Sequence, residues 1–251
     1  MKISIKDFGE LSGQIIQEYT LTNRQGISLS AMTYGAAVTA IRVPDKNGLI
    51  ENIVLGYDTV DEYVAHRPFY GATIGRVAGR IDKGKFVLEG KNYQLETNEK
   101  GNHLHGGENS LDTKIWTVKT NSTENEAQLI FSYKSLHNEN SYPGNLTIQV
   151  TYTLTESNDW KINYHATTDE TTLFNPTNHV YFNLTGDPTY TIKQHQLSLT
   201  SNLFAELRED SIPTGNLIPV NETPFDFTTA DKINKWFESS HPQNKLVSAD
   251  D

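Results

Sequence analysis

Three short segments of the chain gather side chains that can bind hydroxyl groups or transfer protons. They are TIGRVAGRI (residues 73–81, the arginine motif), NHLHGG (residues 102–107, the histidine motif) and NPTNHVYFNLTG (residues 175–186, the asparagine motif). Arginine offers five hydrogen-bond donors, asparagine offers donors and an acceptor, and histidine changes its charge near neutral pH. Residues of these types, brought to one place, could hold a polar ligand and move a proton to or from it.

The histidine motif leaves three interpretations open. His103 and His105 are separated by one residue, and side chains at i and i+2 of an extended segment point the same way, so both imidazoles could face one pocket. The pair could bind a metal ion, because His-x-His is a recurring zinc or iron arrangement and Glu108 and His179 are available as further ligands. The two histidines could also lie in the core or a turn, or act on a substrate as acid, base or binding group.

The arginine motif places Arg76 and Arg80 four residues apart among several glycines. A glycine-rich backbone with arginines could surround a phosphate, but no Lys-Ser/Thr pair follows and no strand-to-helix switch surrounds the segment, which disfavours a nucleotide loop. The same groups suit a neutral, hydroxyl-rich ligand equally well. A glycine-bent sheet edge that carries a surface arginine is the alternative without a function.

The asparagine motif combines uncharged polar groups with aromatic and aliphatic neighbours. Its polar residues are Asn175, Asn178, His179, Tyr181 and Asn183. Such a set is typical of a sugar site, in which apolar faces pack together while amide and imidazole groups bind the hydroxyls. An asparagine-rich loop alone is more often a turn, but its occurrence together with the other two motifs favours a ligand site.

The composition favours a cytoplasmic, soluble protein. The chain has 251 residues and a formal net charge of −10 with no block of Lys or Arg, so nucleic acid and anionic membrane are disfavoured as partners. The absence of cysteine excludes disulfides, thiolate chemistry and Cys-ligated zinc. The first residues contain no apolar stretch of signal-peptide length, and no run of the sequence approaches a membrane span.

Alternation of apolar and polar residues predicts an all-β protein. The strand-like segments are residues 26–43, 83–98, 145–157 and 159–169, of which residues 83–98 form a hairpin with its turn at residues 89–92. Helices are predicted only over residues 59–66 and 228–240. With no linker or repeat in the sequence, we expect one continuous domain built as a large antiparallel β-sandwich with few short helices.

The three motifs, in this order, resemble those of the aldose 1-epimerases, the galactose mutarotases. GYDTVDEY (residues 56–63) and TPFDF (residues 223–227) also fit the pattern of this family, so the resemblance covers nearly the whole chain. It implies the galactose mutarotase-like β-sandwich and the interconversion of the α and β anomers of a free hexose, galactose or glucose. It also implies catalysis by acid and base groups, with no metal and no cofactor.

The resemblance assigns roles to single residues. It makes His179 the general acid and His105 a catalytic and sugar-binding residue, with Arg80 as the sugar-binding arginine. Tyr181 and Asn178 fall in the same binding loop, and Gly79 stands where the family usually has a sugar-contacting Asn. It assigns no role to His103, so we expect replacement of His103 by Gln to have little effect on activity.

Two functional residues of the family find no match in the chain. The family's general base is a Glu near its C-terminus, and a sugar-binding Asp lies in a Gly-x-Asp segment after the TPFDF stretch. We therefore expect residues 1–251 to be a single domain that lacks the last strands of the fold, either as a fragment of a complete enzyme or as a defective relative. Alone, these residues are expected to fold poorly and to show no activity. The alternatives to the epimerase are a non-catalytic carbohydrate-binding protein and a hexose-6-phosphate 1-epimerase of the same fold. For any of these functions we expect a monomer or a homodimer.

Overall fold

The computed structural model of the chain describes residues 1–246. The N-terminal part of the chain forms a sheet of five antiparallel strands that follow one another in sequence order. They are β1 (Lys2–Leu11), β2 (Gln14–Thr22), β3 (Ser28–Met32), β4 (Val38–Pro44) and β5 (Ile50–Asn52). Every residue of β3 is buried, which agrees with the apolar and small residues that predicted strands in this region.

A short helix and five short strands connect the two larger sheets. They are α1 (Val60–His66), β6 (Thr73–Ile74), β7 (Arg80–Ile81), β8 (Lys85–Leu88), β9 (Lys91–Gln94) and β10 (His103–Leu104). The helix begins where the sequence predicts, because Thr59 and Glu62 form a reciprocal capping box at its N-terminus. The predicted hairpin is β8 and β9, and its turn contains only Glu89 and Gly90, both at positive φ.

The second sheet has four antiparallel strands, also in sequence order. They are β11 (Thr117–Ser122), β12 (Glu126–Ser135), β13 (Leu146–Thr155) and β14 (Trp160–Thr168). In β13 the apolar residues predicted to share one face are all buried, from Leu146 to Leu154. Alternation therefore identified the buried face of this strand correctly.

The main hydrophobic core lies between the two sheets. It joins Leu21 and Leu29 of the first sheet to Phe131, Ile148 and Tyr152 of the second. The phenol of Tyr152 is buried and donates to the carbonyl of Ala36 across 2.7 Å, so a polar group in the core is satisfied by the opposite layer. This arrangement is the predicted antiparallel sandwich.

The C-terminal part of the described chain consists of short elements. They are β15 (Thr177–Asn178), β16 (Gln196–Leu197), β17 (Leu203–Leu207), β18 (Pro213–Pro219), β19 (Asp231–Lys232), α2 (Asn234–Phe237) and α3 (Pro242–Leu246). The prediction of a helix over residues 228–240 is wrong for most of that range. Asp231 and Lys232 pair with β16 instead, so only one helical turn forms after them. Within residues 1–246 no helix is long and apolar enough to cross a membrane.

Candidate active site

The arginine motif lies between the other two motifs and pairs with both. Its first strand, β6, pairs antiparallel with β15 of the asparagine motif, and its second strand, β7, pairs with β10 of the histidine motif. Outside these strands, the N–H of His179 donates to the carbonyl of Ala72 and the N–H of His105 to that of Gly79, each at 2.9 Å. Backbone pairing thus brings together three segments that are far apart in the sequence.

The glycines after His105 allow the histidine and arginine motifs to approach closely. A Cβ atom on Gly106 would lie 1.9 Å from the carbonyl oxygen of Gly75, and Gly106 has a φ of +88°. A side chain at this position would therefore both collide with the neighbouring backbone and strain its own. His105 itself has a φ of +54°, so the chain leaves the extended conformation directly after β10.

His105 and His179 form the centre of the site. Their ring centroids are 5.2 Å apart with an interplanar angle of 88°. The ring of Phe69 lies 5.1 Å from that of His105 and 5.7 Å from that of His179. Tyr181 continues the group, because its ring lies 5.1 Å from His179 and 5.3 Å from Tyr70. The two imidazoles therefore stand in an aromatic, partly buried environment.

His105 is held as a neutral imidazole. Its Nδ1 accepts a hydrogen bond from the backbone N–H of Gly79 at 3.1 Å, which fixes the proton of the neutral ring on Nε2. Burial, the neighbouring His179 and the charge of Arg80 together lower the pKa of His105 to about 4, and burial has the largest effect. At neutral pH this side chain is consequently a hydrogen-bond donor through Nε2.

His179 has a different environment although its ring is in contact with that of His105. Burial also lowers the pKa of His179. A hydrogen bond between the ring and the backbone of the same residue acts in the opposite direction, as does the charge of Asp112. An imidazole has two nitrogens and can donate and accept a proton, which is what a general acid in a reversible reaction must do.

Arg80 lies beside the two histidines and is held by a carboxylate. Its Nε donates to Oε2 of Glu99 at 2.9 Å and its Nη2 to Oε1 at 3.3 Å. Gly79, the residue before it, has a φ of +74° and open space where a Cβ atom would be. The N–H of Gly79 is bonded to the ring of His105, and the charge of Arg80 acts on the same ring. Glu99 was not predicted from the sequence.

The side chain of Asn178 binds neighbouring parts of the fold through its amide nitrogen. Its Nδ2 donates to the carbonyl of Gly71 at 2.8 Å and to the phenol of Tyr152 at 3.1 Å. Its Oδ1 is buried and has no hydrogen-bond partner among residues 1–246. With its amide nitrogen engaged and its oxygen buried, this side chain is poorly placed to contact a sugar, contrary to the sequence-based expectation.

The expectation that His103 and His105 face one pocket is wrong. His103 is fully buried, and its two ring nitrogens bind the carbonyl of Glu96 and the phenol of Tyr142, each at 2.8 Å. The strand ends at Leu104, and the positive φ of His105 turns its side chain away from the direction of His103. His103 is therefore a core residue.

Arg76 also belongs to the fold. It is 2% exposed, and its guanidinium donates to groups of two loops beside the second sheet. The acceptors are the carbonyls of Ser135, Leu136, Pro143 and Gly144 and the hydroxyls of Ser135 and Thr172. Because all its donors are occupied, Arg76 cannot bind a phosphate. Of the two arginines in the motif, only Arg80 could then contact a phosphate.

Asp112, whose charge acts on both histidines, is engaged with Arg67. Asp112 accepts two hydrogen bonds from Arg67, at 2.9 and 3.2 Å, and one from the hydroxyl of Ser110. Arg67 also binds the carbonyl of Gly107, so it holds the loop that follows His105. No group of three or more His, Asp or Glu residues with the arrangement of a metal site occurs among residues 1–246.

Three residues of this site were missed by sequence reasoning: Arg67, Phe69 and Glu99. Arg67 and Phe69 follow α1, outside the motifs, and both have positive φ. Glu99 precedes the histidine motif by three residues. A charged or aromatic residue in a loop carries no pattern of its own, and only the paired backbone shows which loops meet.

Comparison with known proteins gives a consistent result. The profile of the family described as aldose 1-epimerase matches residues 17–246. Galactose mutarotase of Rattus norvegicus is 37% identical over 236 residues, which cover 93% of this chain and 67% of that protein. Maltose epimerase of Levilactobacillus brevis is 35% identical over 257 residues, which cover 100% of this chain and 73% of that protein.

The fold is likewise similar to that of solved structures. The crystal structure of a galactose 1-epimerase from Lactobacillus acidophilus superimposes with a TM-score of 0.89 at 28% sequence identity. The superposition covers 98% of this chain and 71% of the other. The sheets and the paired motifs described above therefore occur in a sandwich of known type.

Proposed function

Because the chain belongs to the aldose 1-epimerase family, we propose that it interconverts the α and β anomers of a free hexose, galactose or glucose, through acid and base catalysis. The reaction opens the sugar ring to the aldehyde and closes it on the other face of C1. Protons must reach the ring oxygen and leave the C1 hydroxyl, and both steps reverse on closure. No electron transfer is involved.

His179 is the proposed general acid. In the proposed opening step it gives a proton to the ring oxygen as the bond between C1 and that oxygen breaks, and it takes the proton back when the ring closes. The place of His179 in the paired motifs and the contact of its ring with His105 support this role. A positioned acid of this kind contributes about 10²–10⁴-fold to the rate.

His105, Arg80 and Tyr181 are the proposed binding groups. His105 offers its Nε2–H to a sugar oxygen because Gly79 occupies its Nδ1. Arg80 offers guanidinium donors beside it, and Tyr181 extends the aromatic side of the site. A neutral donor and an arginine can stabilise negative charge that develops on a sugar oxygen during ring opening.

The general base stays unassigned within the described residues. The hydrogen bond from Arg80 lowers the pKa of Glu99, which disfavours the protonation that a base undergoes in each cycle. Asp112 is bound to Arg67 through two hydrogen bonds. We keep the proposal that the base is a carboxylate elsewhere in the protein, as in the family.

The observation that carries the proposal is the pairing of β6 and β7 with the other two motifs, which sets His105 beside His179. Polarimetry on freshly dissolved α-D-galactose and α-D-glucose tests it with the full-length gene product. A decay of optical rotation faster than in buffer is expected. No acceleration with either sugar would exclude the activity, and calorimetric galactose binding without acceleration would indicate a carbohydrate-binding protein instead.

The phosphorylated alternative is tested in the same experiment. Glucose and glucose 6-phosphate are compared at equal concentration. We expect the free sugar to be preferred, because the donors of Arg76 are bound to backbone carbonyls and Arg80 is already paired with Glu99. A preference for glucose 6-phosphate would establish the alternative.

A further inference from the structure

We infer that Glu99 is a positioning residue that fixes the guanidinium of Arg80 for sugar binding; this inference rests on the function proposed above. The carboxylate binds Arg80 through two parallel hydrogen bonds, from Nε at 2.9 Å and from Nη2 at 3.3 Å. This forked geometry orients a planar guanidinium much better than a single contact. It leaves Nη1 without a hydrogen-bond partner among residues 1–246, so those two donors are available for a ligand.

The loop that carries Glu99 is itself held against the site. Glu99 and Asn102 exchange backbone hydrogen bonds, at 3.2 and 2.7 Å. The side chain of Asn98 binds both the N–H and the carbonyl of Leu104, at 2.7 and 3.1 Å, and Leu104 is the residue that pairs with Arg80. Glu99 is therefore anchored through the same two-stranded ribbon that presents Arg80 and leads into His105.

The charges fit this role. The hydrogen bond from Arg80 lowers the pKa of Glu99, so the carboxylate remains ionised at neutral pH. Both side chains are about one-fifth exposed, which shields the pair from part of the solvent screening that weakens surface ion pairs. A sugar that binds to Nη1 meets a guanidinium already fixed in direction, which reduces the entropy lost on binding.

The variants Glu99→Gln, Arg80→Gln and the double variant, each in the full-length gene product, test the inference. The dissociation constant for galactose is measured by calorimetry, and KM and kcat by polarimetry. Glu99→Gln is expected to raise the dissociation constant and KM by about two- to tenfold with kcat changed less than twofold. In the Arg80→Gln background the same change should add less than about 1.5-fold, since Glu99 acts through Arg80.

Glu139→Gln is the matched control. Glu139 is a carboxylate of similar exposure, paired with Lys114 at 3.4 Å, and its loss should lower thermal stability without changing KM. Glu99→Asp, which keeps the charge but is one methylene shorter, should fall between wild type and Glu99→Gln.

Two outcomes would overturn the inference. One is an unchanged KM in Glu99→Gln, and the other is a full loss of affinity that persists when Arg80 is already replaced, which would indicate a structural role of the loop. Failure of the proposed function would be seen separately, because wild-type protein would then neither bind galactose nor accelerate mutarotation.

Discussion

Gly79 and His105 form a reciprocal pair of hydrogen bonds. The N–H of Gly79 donates to Nδ1 of His105 at 3.1 Å, and the N–H of His105 donates to the carbonyl of Gly79 at 2.9 Å. Protonation of the ring would place a second hydrogen between Nδ1 and the Gly79 nitrogen, so this pair is compatible only with the neutral imidazole. The geometry and the low pKa of His105 thus have one common consequence: a donor of fixed direction at Nε2.

The first prediction concerns pH and stability. The pKa of His105 is about 4 in the folded protein, against about 6.5 in an unfolded chain. The unfolded state therefore binds more protons between these values, and stability is lost as the pH falls from 6.5 towards 4. His105→Asn removes this titration, while Asn tolerates positive φ and can accept from the Gly79 N–H.

Urea unfolding at pH 7 and pH 5 measures the effect. The stability lost between the two pH values should be smaller in His105→Asn than in wild type by up to roughly 2 kcal/mol. The remaining pH dependence includes His103 and His179, whose pKa values are also lowered by burial. An equal loss in both proteins would show that His105 titrates normally in the fold.

The second prediction separates the two histidines of the site. His179→Gln keeps a neutral hydrogen-bonding group but removes proton delivery, so we expect kcat to fall by about 10²–10⁴-fold with a smaller change in galactose affinity. His105→Gln should cost less in kcat. The exposed His137 provides a matched control, because His137→Gln lies outside the site and should leave both constants unchanged. Loss of affinity without loss of turnover in His179→Gln would reverse the two assignments.

The third prediction is a gain of binding. The resemblance places an Asn where this chain has Gly79, and Gly79 combines a φ of +74° with open space at the Cβ position. Asn is among the residues that tolerate this conformation. Gly79→Asn should therefore fold normally, and one added hydrogen bond should tighten galactose binding by about two- to tenfold.

Gly13 is the matched control for this change. It has a φ of +79° and equally open space, but it lies in the turn between β1 and β2. Gly13→Asn should leave galactose binding unchanged. Weaker binding in Gly79→Asn, with normal stability, would mean that the sugar requires the space that glycine leaves.

Strand β13 and the segment of residues 228–240 show which parts of the fold can be predicted from the sequence. The alternation in β13 predicted its buried face, because a strand between two others has one face in the core and its period is visible in the residues. The helix predicted over residues 228–240 failed for the opposite reason. Asp231 and Lys232 have partners in β16, which are more than thirty residues away in sequence, and a local pattern cannot reveal such a partner.

In the site too, local motifs were predictable from the sequence, whereas contacts between distant loops were not. Arg80, His105 and His179 could be named from their motifs, but Glu99 and Phe69 became visible only when the loops were placed side by side. His103 and His105 are two positions apart on what reads as one strand, yet the strand ends between them. Sequence spacing predicts a shared direction only where the backbone remains extended.

The fourth prediction concerns the contribution of His103 to stability. Its two ring nitrogens bind the Glu96 carbonyl and the Tyr142 phenol, and it is fully buried. Gln cannot span both partners, so His103→Gln should reduce the free energy of unfolding by about 1–3 kcal/mol. Urea unfolding measures this, and the exposed His165 supplies the control variant His165→Gln, expected to be neutral. Unchanged stability in His103→Gln would contradict this prediction and would show that the two hydrogen bonds contribute little to folding.

The last prediction concerns the missing base. Several carboxylates lie near the histidine motif. Arg80 holds Glu99, Arg67 holds Asp112 and Glu108, and Oε1 of Glu96 accepts a hydrogen bond from the N–H of Glu108. Arg80 lowers the pKa of Glu99, which makes this carboxylate a weak base. Residues 1–251 prepared alone should therefore not accelerate the mutarotation of α-D-galactose above the rate in buffer.

Polarimetry on that chain checks the prediction, with the full-length gene product as the positive control. Acceleration by residues 1–251 would contradict it and would place the base within them. Glu96→Gln, Glu99→Gln and Asp112→Asn in the same chain would then identify the carboxylate, since only replacement of the true base abolishes turnover while the acid, His179, is intact. If the base were Glu99, the fork to Arg80 would have to open in each catalytic cycle. Glu99→Gln would then lose turnover at an unchanged KM. A residue that only positions Arg80 would instead raise KM when it is replaced.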